Sequence, residues 1–307
     1  MGKASRTKQS VSRQERVAAQ RAAAKRAEQR RNLLMAGGVV AVVLVVVAVF
    51  LVVKVAGGHN NSGTNTASNG PTGTSLSSVV SQVTSVPAST LEAVGAGSGV
   101  TGKPTTISGS ALTSNGKPEI LYEGAEYCPY CAAERWAMIV ALSRFGTFSG
   151  LSTIHSASKD GAGQSEPYPN TPTWTFYKST YSSQYVTFTP VETQTNVPDS
   201  SNGTYTALQT PTSAQNAIVT KYDGSQGSIP FIDFGNKYMI SGASYSPQVL
   251  SGLTWSQIAA DLSNQNSPVA KAIDGTANYI TAAICKMTGN QPANVCTTTI
   301  TSLQSQI

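Results

Sequence analysis

The sequence predicts an α/β unit, a mixed sheet with flanking helices and an insertion, preceded by a single transmembrane helix. Three stretches carry this prediction. The apolar run Ile120-Leu121-Tyr122 leads into Ala132–Phe145, where Trp136, Ile139, Val140 and Leu142 recur near helical spacing, and Leu151–His155 then reads as a second strand. That order implies a right-handed parallel crossover. Phe231–Phe234 and Lys237–Ser241, joined by Gly235-Asn236, read as a β-hairpin, which adds antiparallel strands. Leu33–Val53 contains no charged residue and, at about 1.5 Å per residue, is long enough to cross a hydrocarbon layer of about 30 Å.

The elements follow in chain order. Residues 1–32 hold ten Lys and Arg against Glu15 and Glu28, an excess of +8 in a chain whose total is +6. The remainder is therefore slightly acidic, and the high overall pI of about 9.1 belongs to a tail, which removes the argument for a nucleic-acid partner. The basic flank places the tail in the cytoplasm and the rest of the chain outside. A cleaved signal peptide is the alternative, but its apolar region is usually about 7–15 residues, so 33–53 is read as an uncleaved anchor. Residues 54–75 are Gly-, Asn- and Ser-rich and read as a flexible linker containing His59, and 76–307 as the folded domain.

Within the domain, Leu76–Val94 suggests a short helix before Pro87, and 95–116 an edge strand or hairpin. Thr173–Tyr177 and Tyr185–Phe188 have β-forming composition and read as a strand and its pair, or as part of an insertion at about 156–226 packed near the site. Thr254–Leu262, Val269–Met287 and Val295–Leu303 read as closing helices. Only 12% of residues are charged, about half the usual share, so a surface of Ser, Thr, Asn, Gln and Tyr is expected. Such a surface suits an acidic exterior and a stability that is flat with pH.

The chemistry concentrates at Tyr127-Cys128-Pro129-Tyr130-Cys131, where strand gives way to helix. Pro129, with its fixed φ and missing N–H, opens the helix, so Cys128 falls at the N-cap and Cys131 in the first turn. Free N–H groups and the positive end of the helix dipole stabilise a thiolate at Cys128, the attacking sulfur, and Cys131 resolves the mixed disulfide. Two other readings stand beside this one: a purely structural disulfide, and a zinc site completed by Cys285 and Cys296. The second pair lacks knuckle spacing and is read as a structural disulfide, whose closure of about twelve residues contributes roughly 3 kcal/mol in the chain-entropy model. Four cysteines outside the cytoplasm fit two bridges of different character. His155 reads as a strand-end polar residue, not a base.

At these residues a resemblance becomes specific. Leu121-Tyr122-Glu123-Gly124-Ala125-Glu126-Tyr127-Cys128-Pro129-Tyr130-Cys131 resembles the strand, active-site loop and helix start of the thioredoxin superfamily, with the Pro-Tyr dipeptide of many glutaredoxins. Gly-Ala-x-x-Cys-Pro-x-Cys resembles the thioredoxin-like domains of quinone-linked membrane oxidases. Ile229-Pro230 before a strand is similar to the family's cis-proline, which the resemblance places against both cysteines. One departure stands out: thioredoxin's buried acid six residues before the first cysteine is Tyr122 here, and Glu123 should point to the opposite face. Arg135 would favour a thiolate, and Glu126 and Glu134 would oppose it.

The resemblance covers about 117–265, and the chain is similar to an uncharacterised group of prokaryotic membrane-anchored thioredoxin-like proteins. It implies a membrane-anchored, extracytoplasmic thiol-disulfide oxidoreductase with Cys128 and Cys131 catalytic and Pro230, Ile229, Pro129 and Tyr130 positioning substrate. Protein thiols and disulfides are the expected partners, with a membrane electron donor or acceptor as a further one, and no metal or other cofactor. The alternative is a non-catalytic surface binding protein on the same scaffold with structural disulfides.

Overall fold

A computed structural model describes residues 70–225 and 227–307. The tail expected at 1–32, the span expected at 33–53, His59 and most of the linker lie outside these residues; among the described residues no helix is long and apolar enough to cross a membrane. Helix α1 (Gly73–Thr84) begins inside the stretch assigned to the linker. It is followed by α2 (Ala88–Val94), the two-residue strands β1 (Thr105–Thr106) and β2 (Thr113–Ser114), the long strand β3 (Lys117–Gly124) and helix α3 (Pro129–Ser143).

Then come β4 (Gly146–Ser149), β5 (Ser152–His155), β6 (Pro172–Thr175), β7 (Thr180–Ser183), β8 (Thr187–Glu192), β9 (Gln194–Asp199) and β10 (Thr204–Ala207). Helix α4 (Ser213–Asp223), the hairpin β11 (Phe231–Phe234) and β12 (Tyr238–Ser241), and helices α5 (Trp255–Asp261), α6 (Pro268–Met287) and α7 (Thr298–Leu303) complete the chain. The architecture is mixed α/β.

The central sheet is mixed. β3 pairs antiparallel with β11 and parallel with β8, β11 pairs antiparallel with β12, and β1 and β2 cap the two sides. The parallel crossover therefore exists, but its second strand is β8 and not the expected Leu151–His155. β5 instead pairs antiparallel with β6 in a separate ribbon. The expected pairing of Thr173–Tyr177 with Tyr185–Phe188 is absent for the same reason: β6 is taken by β5, and β8 by β3. The stretch 156–226 is thus not a pure insertion, since β8 within it is integral to the sheet.

Helix α3 is buried on nearly every side, with Cys131 to Leu142 all buried. This explains its composition: a helix with a polar stripe could not sit between the sheet, β6 and helices α1 and α6. Its two charged residues, Glu134 and Arg135, are fully buried and therefore require partners. Trp136 packs edge-on against Trp174 at 5.2 Å, and its indole N–H donates to the Pro172 carbonyl at 2.9 Å. Thr173 Oγ1 donates to the Ala132 carbonyl at 2.8 Å, and the Trp255 indole donates to Thr173 O at 2.7 Å. These bonds fix the β5–β6 ribbon onto α3.

Candidate functional site

The site is assembled where β3 ends. Strand pairing puts Glu123 level with Phe231 on one side and Gly124 level with Glu192 on the other. Because β11 runs antiparallel to β3, the residues just before it, Ile229 and Pro230, lie at the same end of the sheet as the loop 125–128. The Ile229–Pro230 bond is cis. The Cys128 thiol donates to the Ile229 carbonyl across 3.8 Å, which joins two motifs 101 residues apart in sequence.

Cys128 is the N-cap of α3, with Pro129 in the first helical position, and the Cys131 N–H donates to Cys128 Sγ at 3.2 Å. The two cysteines are free thiols here. Burial pushes the Cys128 thiol up, but hydrogen bonds from the Cys131 thiol and N–H, the charge of Arg135 and the Tyr130 N–H outweigh it, and the net shift is downward. Cys131 moves the other way, raised well above the ordinary thiol value by burial and by its bond to Cys128. The two sulfurs therefore differ as a nucleophile and a reserve thiol should. Cys128 is only 4% exposed, whereas Tyr130 beside it is 40% exposed and stands edge-on to Tyr168 at 5.8 Å.

Beneath the pair lies an ion pair. Arg135, one helical turn after Cys131, donates from Nε to Glu192 Oε1 at 2.9 Å and from Nη2 to Glu192 Oε2 at 2.7 Å, with a further 2.7 Å bond to the Ala125 carbonyl of the loop 125–128. Both side chains are fully buried. Glu192 also accepts from the Phe176 N–H at 3.3 Å. Sequence reasoning missed Glu192; its signal was a single acid closing an otherwise uncharged β-forming run, Tyr185–Val191.

The remaining charged residues sort differently from expectation. Glu134 accepts from the Ser244 N–H at 2.8 Å and Oγ at 3.0 Å, and burial pushes its carboxyl up to about 7. Glu126 accepts from Thr175 Oγ1 at 2.6 Å, and burial raises it too. Both carboxyls are thus shifted toward the neutral form by burial and bonded away from the sulfurs, to Ser244 and Thr175.

Tyr122 is fully buried, its ring edge-on to Phe176 at 5.2 Å, and its hydroxyl has no hydrogen-bond partner. Burial holds the phenol well above its ordinary pKa, so it is neutral. Gly124, two residues on and on the same strand face, is required by it: a Cβ there would meet Tyr122 Oη at 2.2 Å. Glu123 is half-buried, with one oxygen lacking a partner, and burial raises its carboxyl.

Residues 103–286 match the model of a family described as a domain of unknown function, DUF929, which spans more than half of the 307 residues. The chain belongs to the DUF929 family. The DUF929 segment runs from just before β1 to the last turn of α6 and includes Cys128, Cys131, Arg135, Glu192, Ile229 and Pro230. No curated protein and no solved structure matches the chain.

Cys285, at the end of the DUF929 segment, is bonded to Cys296 beyond it. That disulfide closes the zinc alternative in which these two sulfurs complete a site with Cys128 and Cys131. His155 lies 4.4 Å from the Trp255 ring in an edge contact, and the loop that follows it touches the site through the Ala157 N–H, which donates to the Tyr127 carbonyl at 2.9 Å, and through Tyr168 beside Tyr130. Tyr127 in turn stacks on Tyr205 of β10 at 4.0 Å.

Proposed function

We propose that this chain is a thiol-disulfide oxidoreductase of thioredoxin-like fold, anchored in the membrane by residues 33–53 with its folded domain outside the cytoplasm. The observation that carries this reading is the asymmetry of the cysteines. Cys128, at the N-cap of α3, is shifted toward the thiolate, and Cys131 toward the thiol. The mixed sheet, with β3 feeding α3 and returning through parallel β8, and the antiparallel β11 beginning after cis-Pro230, supports the thioredoxin-like assignment.

The exchange proceeds in two balanced steps. Cys128 thiolate attacks one sulfur of a substrate disulfide, forming a Cys128–substrate disulfide and expelling the second sulfur as a thiolate. The Cys131 thiol passes its proton to that thiolate and attacks Cys128 Sγ, which releases the first substrate sulfur. Two electrons leave the protein dithiol, and the protein ends as a Cys128–Cys131 disulfide. The reverse direction oxidises a substrate dithiol. Once Cys128 ionises, the Ile229 carbonyl it now bonds is released to meet an extended substrate segment beside Cys128.

The test is trapping. In the full chain in detergent, Cys131→Ser should accumulate a mixed disulfide with a protein substrate such as insulin, and Cys128→Ser should not. A non-catalytic binding scaffold is the second reading, favoured by the 4% exposure of Cys128. Absence of a trapped species, together with a Cys128–Cys131 pair that dithiothreitol leaves untouched, would establish that scaffold and end the enzymatic proposal.

A further inference from the structure

Arg135 is the only cation bonded beneath the cysteines among the described residues, and its hydrogen bonding is incomplete. A guanidinium has five N–H donors. Those on Nε and Nη2 are taken by Glu192 and the Ala125 carbonyl, while Nη1, fully buried, has no partner. Its Cζ stands 5.9 Å from the ring of Tyr122, whose own hydroxyl is also unpartnered. A buried charge acts strongly on its neighbours because little water screens it.

We propose that Arg135 is the positioning residue that sets the redox poise of the Cys128–Cys131 couple, with Glu192 as the opposing charge that limits its effect. The inference rests on the exchange reading above and gives its regulation a residue basis. Arg135 acts in two ways. Its bond to the Ala125 carbonyl ties α3 to the loop that carries Cys128, whose own N–H donates to the same carbonyl at 3.3 Å. Its positive charge favours the thiolate and so stabilises the reduced pair relative to the disulfide, which carries no charge.

The groups around the sulfurs support this division. Arg135 lowers both thiols, whereas Tyr122 and Tyr127 are neutral, their phenols pushed up by burial, Tyr127 to about 12. Glu126, also raised by burial, is bonded to Thr175, which leaves Glu192 as the carboxylate in direct contact with the guanidinium.

Two variants of the full chain decide the matter. Glu192→Gln keeps the shape and one of the two acceptors while removing the negative charge; it leaves the guanidinium without a counter-ion, so its folding is checked alongside. It should make Cys128 more acidic and shift equilibrium with glutathione about ten-fold toward the reduced protein, equivalent to about +30 mV for a two-electron couple. Arg135 alone cannot be truncated safely, because an unpaired buried carboxylate is strongly destabilising, whereas replacing both partners by apolar residues is often tolerated. Arg135→Met with Glu192→Leu should shift Cys128 ionisation and the glutathione equilibrium the opposite way, by the excess of the lost cation's effect over that of the lost carboxylate.

Cys128 ionisation is read from the pH dependence of its alkylation rate, and folding from circular dichroism. Opposite shifts support the proposal; unchanged ionisation, or shifts of one sign in both folded variants, overturns it. The alkylation measurement does not depend on exchange. A wild-type pair inert toward glutathione would therefore sink the oxidoreductase reading alone, with the charge assignment still decided by ionisation.

Discussion

Replacing Asp274 by asparagine should stabilise the protein near pH 8 and leave it almost unchanged near pH 4. Asp274 lies in the middle of α6, fully buried, and neither of its oxygens has a hydrogen-bond partner. Burial raises its carboxyl from 3.8 to about 8. In the unfolded chain the group ionises from about pH 4, while in the folded chain it keeps its proton until about pH 8. The folded state is therefore at full relative stability below about pH 4 and loses it progressively up to about pH 8. At about 1.4 kcal/mol per pKa unit, the loss approaches about 5 kcal/mol if no water enters, and we expect ~2–5 kcal/mol.

Glu134, raised to about 7, and Asp233, raised to about 6, act in the same direction. His155, lowered by burial, acts in the opposite one. The wild-type curve alone cannot isolate Asp274, but the difference between wild type and Asp274→Asn can. Denaturant unfolding of the full chain at about pH 4, 6 and 8 measures it. Parallel curves for the two proteins, or a wild type more stable at the alkaline end than the variant, would refute the reasoning. Against the flat pH profile expected from the uncharged surface, the buried carboxyls lead us to expect a stability that rises toward acid, which the same titration checks.

Further outcomes follow from single contacts. Gly124→Ala should cost ~1–3 kcal/mol by overpacking, since its Cβ has nowhere to go but into the Tyr122 phenol, and Tyr122→Leu in the same chain should recover part of that cost; additive losses in a double-mutant cycle would remove the coupling. Cys285→Ala with Cys296→Ala opens a bridge with a sequence separation of 11 and should lower unfolding stability by about 3 kcal/mol without changing thiol exchange at Cys128, checked by urea titration and an insulin assay. Tyr205→Ala removes the stack on Tyr127 and the hydroxyl bond to Glu166, and should raise amide exchange at residues 125–128 with little change at α6; uniform protection across both would contradict it.

Much of the site was legible because its signals are local. The N-cap at Cys128 follows from Pro129 and the apolar helix behind it, and α5 begins where Thr254 and Gln257 form a capping box. The hairpin was legible for the same reason: Gly235 and Asn236 both adopt positive φ, which their residue types permit. Strand pairing was not. Ser152–His155 and Thr187–Glu192 look alike as β-forming runs, and which one joins β3 is decided by what each must cover. β5 and β6 are tied to α3 by Thr173 and to α5 by Trp255, leaving β8 to complete the sheet. Glu192 arrives at Arg135 from 57 residues away, and no local pattern encodes that meeting.

The amino-acid order by itself determined the Cys128–Cys131 pair at a helix start, the helix that presents it, the Ile-Pro step before β11 and the partner of Cys285, because each depends on residues within a few turns of one another or on a short loop. Tertiary structure decided which groups govern the sulfurs. Charge in a dry interior is set by neighbours drawn from distant strands, so the roles of Tyr122, Arg135, Glu134 and Glu192 became readable only once β3, β8 and α3 were packed together.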